Sequence, residues 1–262
     1  MVSPRFEPDG WDAAVRVGVL VPHADVGPES ELQAMAPAGV VIHATRVPFG
    51  AMASGGQMDP TIALAPVREF AEPPHLDHAA ELLAAAPLDV IAYGFTSSAY
   101  VIGAQGESEM IARLERRTRG IPVVAPCAGV VDALRTLGAG RIELVDPPWF
   151  DAELTALGRR YYEAAGFDVV RAGPSGLPSD QREIRPAELY AELSERTPDD
   201  AEAVVIGGNG MRAVGVIAAL EARLGRPVVT ANQALLWAAL DAAGAGGIVV
   251  KGYGRLFDPE SG

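Results

Sequence analysis

The fold is decided by the stretch DVIAYGFTSSAYVIG, which runs from Asp89 to Gly103. Its first five residues are a short apolar run bounded by polar residues, as expected for a strand buried on both faces. The residues that follow, Gly94–Ser98, include a glycine and three hydroxylic side chains. They predict a loop that offers backbone N–H groups and hydroxyls to a ligand, followed by a helix.

A second stretch, AEAVVIGGNGMRAVGVI from Ala201 to Ile217, repeats this order in the second half of the chain. Here the small polar loop is Gly207–Gly210. If the two halves are related by duplication, their loops face each other and the binding site lies between them. We therefore expect a single pocket lined by Thr96, Ser97, Gly208 and Asn209.

Strand, loop and helix alternate through the rest of the chain. This alternation predicts an α/β fold with parallel sheets and with ligands bound at the carboxyl ends of the strands. A chain of 262 residues can bury two cores of about a hundred residues each. We expect two pseudo-symmetric Rossmann-like halves, 15–119 and 120–231, with 232–262 crossing back to the first. The segment from Val47 to Asp59 is too long for an ordinary connection and is expected to cover the site.

Composition excludes several classes of protein. The formal net charge is −13 and the pI is about 4.7, so the chain predicts no basic surface for nucleic acid and no attraction to an anionic membrane. No apolar run has the length of a signal peptide or a membrane span. The single cysteine, Cys127, excludes an internal disulfide framework. We expect a cytoplasmic protein whose residues 1–14 form a loose arm or an edge contact in a homo-oligomer.

The sequence carries no nucleotide-binding motif. The GxGxxG spacing is absent after the strand predicted at Val15–Val21, and no phosphate-binding lysine follows. His75 and His78 have a spacing that a metal tolerates, but the start of a solvated helix is the favoured interpretation. We therefore predict no cofactor and no metal.

The two loops carry the candidate binding residues. Thr96, Ser97 and Ser98 stand at a predicted helix start, where the helix dipole favours an anion such as a carboxylate; a plain N-cap cluster is the alternative. Gly208, Asn209 and Gly210 allow close backbone approach to a ligand, although the same residues also suit an ordinary tight turn.

Three further residues are candidates for proton transfer or nucleophilic attack. Cys127 opens a helix directly after Pro126, a position that can lower the pKa of a thiol, although a lone cysteine is more often a buried apolar residue. His23 follows the first strand and is either a base or a satisfied loop histidine. Asp25 is the sharpest acidic candidate, with capping of the following helix as the alternative.

With these loops placed, the chain resembles the aspartate/glutamate racemase superfamily, and within it the branch of maleate cis-trans isomerase and arylmalonate decarboxylase. The resemblance covers nearly the whole chain. It implies two pseudo-symmetric α/β halves that hold a substrate carboxylate between them without a cofactor. The motifs that carry it are RVGVLVPHADVGPESEL, DVIAYGFTSSAYVIG, GIPVVAPCAGVVDALRTLGAGRIELVDPPW and AEAVVIGGNGMRAVGVIAALEARLGRPVVTANQALLW.

The chain departs from this family at the residues that carry its chemistry. Members of the family usually place one cysteine in each loop, and the resemblance puts Phe95 and Gly208 at those two positions. Asp25 stands where the isomerase has a carboxylate-binding asparagine, and Pro148, beside Trp149, stands where the family has a tyrosine. The family's two-thiol chemistry therefore lacks its nucleophiles here.

Three functions remain open from the sequence. We favour a cofactor-independent isomerase or decarboxylase-like lyase that acts on a small carboxylic acid or a related carbonyl compound, because Phe95 and Trp149 would form a shaped apolar wall. Cys127, Asp25 or His23 would then carry the chemistry. The alternative is a non-catalytic protein that binds a small carboxylate. A third, weaker hypothesis is a metal-assisted hydrolase that uses His23 and Asp25.

Overall fold

Two four-stranded sheets, both entirely parallel, form the framework of the protein in a computed structural model that describes residues 9–258. In chain order the strands are β1 (Val15–Pro22), β2 (Val40–Val47), β3 (Met52–Ala53), β4 (Gln57–Met58), β5 (Val90–Tyr93), β6 (Val123–Val124), β7 (Arg141–Asp146), β8 (Asp168–Pro174), β9 (Ala203–Ile206) and β10 (Val228–Thr230). The predicted α/β class with parallel sheets is confirmed.

Helices connect successive strands of the two four-stranded sheets. They are α1 (Gly27–Met35), α2 (Leu64–Phe70), α3 (His75–Leu83), α4 (Thr96–Arg117), α5 (Pro126–Thr136), α6 (Ala152–Ala164), α7 (Pro186–Arg196), α8 (Ile217–Leu224) and α9 (Ala231–Ala242), with a 3₁₀ turn at Val214–Val216. The longest of them, α4, is kinked at Gly103, whose φ of 71° departs from helical geometry. None of the helices within residues 9–258 is both long and apolar enough to cross a membrane.

The two sheets have the orders β2-β1-β5-β6 and β10-β9-β7-β8. The central strands β5 and β9 are buried along their whole length, which explains why both read as continuous apolar runs in the sequence. These are the two strands that deliver the predicted binding loops. Since all strands of each sheet are parallel, the loops after them lie at the carboxyl edges of the sheets.

Strand β6 corrects the predicted start of the second half. The sequence placed residues 120–124 after a boundary at residue 119, but β6 pairs with β5 and is an edge strand of the first sheet. Only Val123–Val124 are extended. A strand of two residues has no hydrophobic pattern from which its sheet could be predicted.

The C-terminal part of the chain contacts both sheets. Helix α9 packs against β5 and β6 of the first sheet and against α5 and β10. Beyond it, the Tyr253 hydroxyl donates a hydrogen bond to the carbonyl of Ala34 in α1 at 2.9 Å. These contacts join the described part of 232–262 to the first half. The N-terminal arm expected at residues 1–14 lies partly outside the described residues.

Candidate functional site

A small cavity lies between the loops that follow the strands of the two sheets. Its volume is about 30 Å³, which leaves space for roughly one or two water molecules. The polar lining consists of Asp25, Thr96, Ser97, Gln181 and Asn209, with the backbone of Gly208 and Gly210. The apolar lining consists of Pro22, Phe49, Met52, Met58, Ile62, Phe95, Trp149 and Phe150. The two predicted loops therefore meet in one cavity, as the duplication required.

A direct hydrogen bond joins the two loops. The hydroxyl of Thr96 donates to Oδ1 of Asn209 at 2.6 Å, and both residues are buried. The amide of Asn209 donates in turn to Oδ1 of Asn232 at 2.7 Å. Both polar atoms of the Asn209 side chain are thus engaged by protein. Its backbone carbonyl also accepts a hydrogen bond from the Asn232 amide at 2.9 Å, so Asn209 holds Thr96 in place from the second loop.

The same network continues to Glu31, a buried carboxyl of α1. The amide of Asn232 donates to Oε2 of Glu31 at 2.8 Å, and the backbone N–H groups of Ala213 and Val214 donate to its Oε1 at 2.6 and 3.0 Å. Burial raises the pKa of Glu31 to about 7, opposed by these hydrogen bonds. Glu31 therefore ties the first half to the turn that follows the second loop.

The first turn of α4 forms the polar wall on the side of the first half. The N–H groups of Thr96 and Ser97 have no intrahelical acceptor at this position, and no acceptor within residues 9–258 takes their place. The dipole of α4 adds a partial positive charge at the same point. This wall suits an oxyanion or a carboxylate.

Asp25 supplies the ionisable group of the cavity. It is only 6% exposed, and its Oδ1 accepts a hydrogen bond from the N–H of Gly27 at 2.7 Å. Burial raises the pKa of Asp25 to about 6, while the Gly27 N–H and the charge of Arg46 oppose that shift. Asp25 thus contacts the first residue of α1, whose N-cap is Val26, and its carboxyl also lines the cavity; its role in proton transfer stays a prediction.

Phe95, which the resemblance puts at the family's first cysteine position, packs in an aromatic cluster. Its ring centroid lies 4.2 Å from that of Phe70 and 4.9 Å from that of Phe49. These rings pack at tilted and edge-on angles, the arrangements that aromatic pairs favour. The position is therefore occupied by packing that a small thiol would leave incomplete.

Gly208, which the resemblance puts at the family's second cysteine position, has no space for a side chain. Its φ of +78° lies in the left-handed region, and a Cβ at this residue would stand 2.1 Å from Cγ of Pro147. Any side chain at position 208 would therefore collide with the ring of Pro147. The second thiol is absent here, and this backbone also leaves it no room.

Cys127 differs from the sequence expectation. It is fully buried, does not line the cavity, and its Sγ donates a long hydrogen bond of 3.6 Å to the carbonyl of Thr96. Burial, with the nearby carboxyl of Glu107, raises the pKa of the Cys127 thiol well above its usual range. The start of α5 therefore does not give Cys127 a lowered pKa, and the buried apolar residue, the commoner alternative for a lone cysteine, is the interpretation that agrees with the structure.

Two further candidates lie away from the cavity. His23 is exposed and accepts a hydrogen bond at Nδ1 from the N–H of Phe49 at 3.2 Å, so the satisfied loop histidine is the interpretation that agrees with the structure. The hydroxyl of Ser98 is buried and shares a hydrogen bond of 2.8 Å with the hydroxyl of Tyr93. Neither residue is among those that line the cavity.

The cover of the cavity comes from both halves. Met52 and Met58 lie in the β3–β4 hairpin of the segment predicted to cover the site. Gln181, which the sequence analysis missed, lies in the loop before α7. The two covers touch where the Ser179 hydroxyl donates to the carbonyl of Pro60 at 2.6 Å. The signal for Gln181 was the position of its loop, which follows β8, the second strand of its sheet along the chain, as the covering segment follows β2.

The fold and the cavity define a class: α/β proteins with two similar halves and a small enclosed site between the carboxyl edges of two parallel sheets. Within that class, the chain belongs to the arylmalonate decarboxylase family, whose family model matches residues 73–257.

Individual relatives agree with this assignment. The chain is 27% identical over 234 residues to a maleate isomerase of Pseudomonas putida (87% of this chain, 91% of the relative). It is 28% identical over 194 residues to an arylmalonate decarboxylase of Bordetella bronchiseptica (70% of this chain, 76% of the relative). Its fold matches that of a maleate-bound maleate isomerase of Pseudomonas putida with a TM-score of 0.80 at 24% identity, covering 94% of this chain and 98% of the other.

Proposed function

We propose that this protein is a cofactor-independent decarboxylase-like lyase or isomerase for a small carboxylic acid, in which the carboxyl of Asp25 carries the proton in place of the family's thiols. The observation that carries the proposal is the position of Asp25. Its carboxyl is buried on the cavity wall with a pKa raised to about 6, in the range where a general acid or base works near neutral pH.

The decarboxylation can be written with the groups of this cavity. The bond between the α-carbon and one carboxylate of a malonate-type acid breaks, CO₂ leaves, and the electron pair remains on the α-carbon as an enediolate. The N–H groups of Thr96 and Ser97 stabilise the enediolate oxygens. Protonated Asp25 delivers its proton to the α-carbon and regains one from solvent. In an isomerisation, ionised Asp25 would remove the α-proton and return it.

The residues that line the cavity indicate which kind of acid it suits. Phe95 and Trp149 give the cavity an aromatic side, and the described part of the chain places no Lys, Arg or His on its lining. This lining favours an acid that carries an apolar substituent over a compact acid, such as maleate, that carries none.

The proposal is tested by a decarboxylation assay in deuterium oxide, which labels the proton that the product gains at its α-carbon. Phenylmalonate is incubated with the protein in deuterium oxide, and the product acid and its α-deuterium are followed by NMR. We expect turnover by the unmodified protein, a loss of at least about 100-fold in Asp25→Asn, and retained turnover in Cys127→Ala. Asp241→Asn, an exposed exchange of the same type, serves as the control. Turnover that survives in Asp25→Asn would contradict the proposal.

A non-catalytic carboxylate-binding protein is the second candidate. The observation in its favour is that neither cysteine position holds a thiol, with Phe95 packed among aromatic rings and Gly208 against Pro147. Binding of phenylmalonate in calorimetry, together with no product and no deuterium exchange over long incubation, would favour this candidate over the enzyme.

A further inference from the structure

A groove of about 510 Å³ opens beside the candidate cavity. Its walls come from α1, the loop before α7, the 3₁₀ turn and Tyr253. Two residues, Gln181 and Gly210, line both the groove and the cavity. The groove and the cavity are therefore adjacent and share a wall, which includes the long side chain of Gln181.

The cavity alone is too small for the proposed substrates. Its 30 Å³ leave space for roughly one or two water molecules, whereas an aryl-substituted acid has several times that volume. The adjoining groove offers the missing space on the side where Asp25 lies. Oδ2 of Asp25 and Oε1 of Gln181 each stand 3.0 Å from the point where a Cβ on Gly210 would be, so the shared wall is close to the Asp25 carboxyl.

The side chain of Gln181 is weakly held in this wall. Its Oε1 is buried and receives no hydrogen bond from the described residues. A buried amide oxygen without a donor is unfavourable. Turning Gln181 towards the groove would hydrate this oxygen and join the two spaces.

The groove combines positive charge with apolar surface. Arg182 and Arg212 line it, together with the buried carboxyl of Glu31. Arg182 is paired with Asp180 at 2.5 Å, whereas Arg212 is exposed and makes no ion pair or hydrogen bond within residues 9–258. In a chain with a net charge of −13, unpaired arginine at a concave surface attracts anions. The apolar surface comes from Val26, which is 61% exposed, and from Pro186 and Tyr253.

We infer that this groove is the entrance to the site and the subsite for the apolar substituent of the substrate. An acid with an aryl or similar group enters past Arg212, its carboxylate passes Gln181 towards Asp25 and Thr96, and its apolar group stays against Val26, Pro186 and Tyr253. This assignment rests on the proposed function.

Gly215 allows the groove to be filled without touching the cavity. It lines the groove, is exposed, and a Cβ on it would meet open space. We expect Gly215→Phe to raise the Kd of phenylmalonate about 10-fold or more in calorimetry while changing that of malonate less than about 2-fold. Gly247→Phe, an exposed glycine with open space around it and outside the groove lining, should change neither.

Arg212→Gln tests the entrance. We expect the association rate of phenylmalonate, followed by stopped-flow tryptophan fluorescence, to fall about 3- to 10-fold at low ionic strength, with the difference vanishing near 0.5 M salt. Arg160→Gln is the matched exposed control.

The outcomes separate the two proposals. If the unmodified protein binds neither phenylmalonate nor malonate, the proposed function and the groove assignment are both wrong. If it binds both, and Gly215→Phe binds phenylmalonate as tightly as the unmodified protein, the groove assignment alone is overturned. Unchanged malonate binding by Gly215→Phe also shows that this variant is folded.

Discussion

Replacing Asp25 with asparagine should make the protein more stable while removing its proposed activity. Asparagine keeps an oxygen for the N–H of Gly27, which donates to Asp25 Oδ1 at 2.7 Å, but it carries no charge to bury. The pKa of Asp25 rises from 3.8 to about 6 on burial. This rise in the pKa corresponds to about 3 kcal/mol of unfavourable ionisation in the folded protein.

The raised pKa of Asp25 makes the free energy of unfolding depend on pH. Between about pH 4 and pH 6 Asp25 is protonated in the folded state but ionised in the unfolded state. The free energy of unfolding therefore falls as pH rises through this range. At pH 8 the loss is complete. We therefore expect the free energy of unfolding of Asp25→Asn to exceed that of the unmodified protein by about 3 kcal/mol at pH 8, and by very little near pH 4.

The assay is urea denaturation followed by circular dichroism at pH 4, 6 and 8, with the phenylmalonate assay on the same preparations. A gain of about 3 kcal/mol corresponds to a Tm roughly 6 to 12 °C higher for a protein of this size. Asp241→Asn, at an exposed position, should change stability by less than about 0.5 kcal/mol. An Asp25→Asn variant that is no more stable than the unmodified protein at pH 8 would refute the burial argument.

Three further outcomes concern the missing thiols. Maleate should not be converted to fumarate, because Phe95 and Gly208 cannot form the covalent adduct; proton NMR tests this, and conversion that disappears in Cys127→Ala would show that Cys127 acts as the nucleophile. Phe95→Cys should lower the free energy of unfolding by about 2–4 kcal/mol in urea denaturation, because it leaves a void among the aromatic rings; an unchanged midpoint would contradict that packing. Gly208→Ala should cost about 2–4 kcal/mol, from its left-handed φ and from contact with Pro147, whereas Gly247→Ala should change little; equal stability of the two variants would argue against the collision.

Much of the site was predictable from local sequence. Thr96, Ser97, Gly208 and Asn209 follow the buried strands β5 and β9, and parallel strands bring such loops to one edge. Asp25 and Trp149 follow β1 and β7 and reach the cavity for the same reason. Their roles in binding and proton transfer remain predictions.

The directions of side chains were not predictable in the same way. Ser98 and Cys127 lie in the first turns of α4 and α5, where successive residues point in directions about 100° apart. Helix position alone therefore does not determine which residue faces the ligand. Ser98 turns towards Tyr93, and Cys127 turns into the core behind Thr96. The pKa of Cys127 follows from this burial and not from its place in the helix.

The sequence by itself determined the α/β class, the two related halves and the loops that meet between them, because hydrophobic periodicity and loop chemistry are local properties of the chain. Only the tertiary structure decided that β6 joins the first sheet, that Pro147 closes the space beside Gly208, and that Gln181 separates the cavity from a groove. These features depend on contacts between residues far apart in the chain. Such contacts are set by how both halves pack together, and no single stretch of sequence contains them.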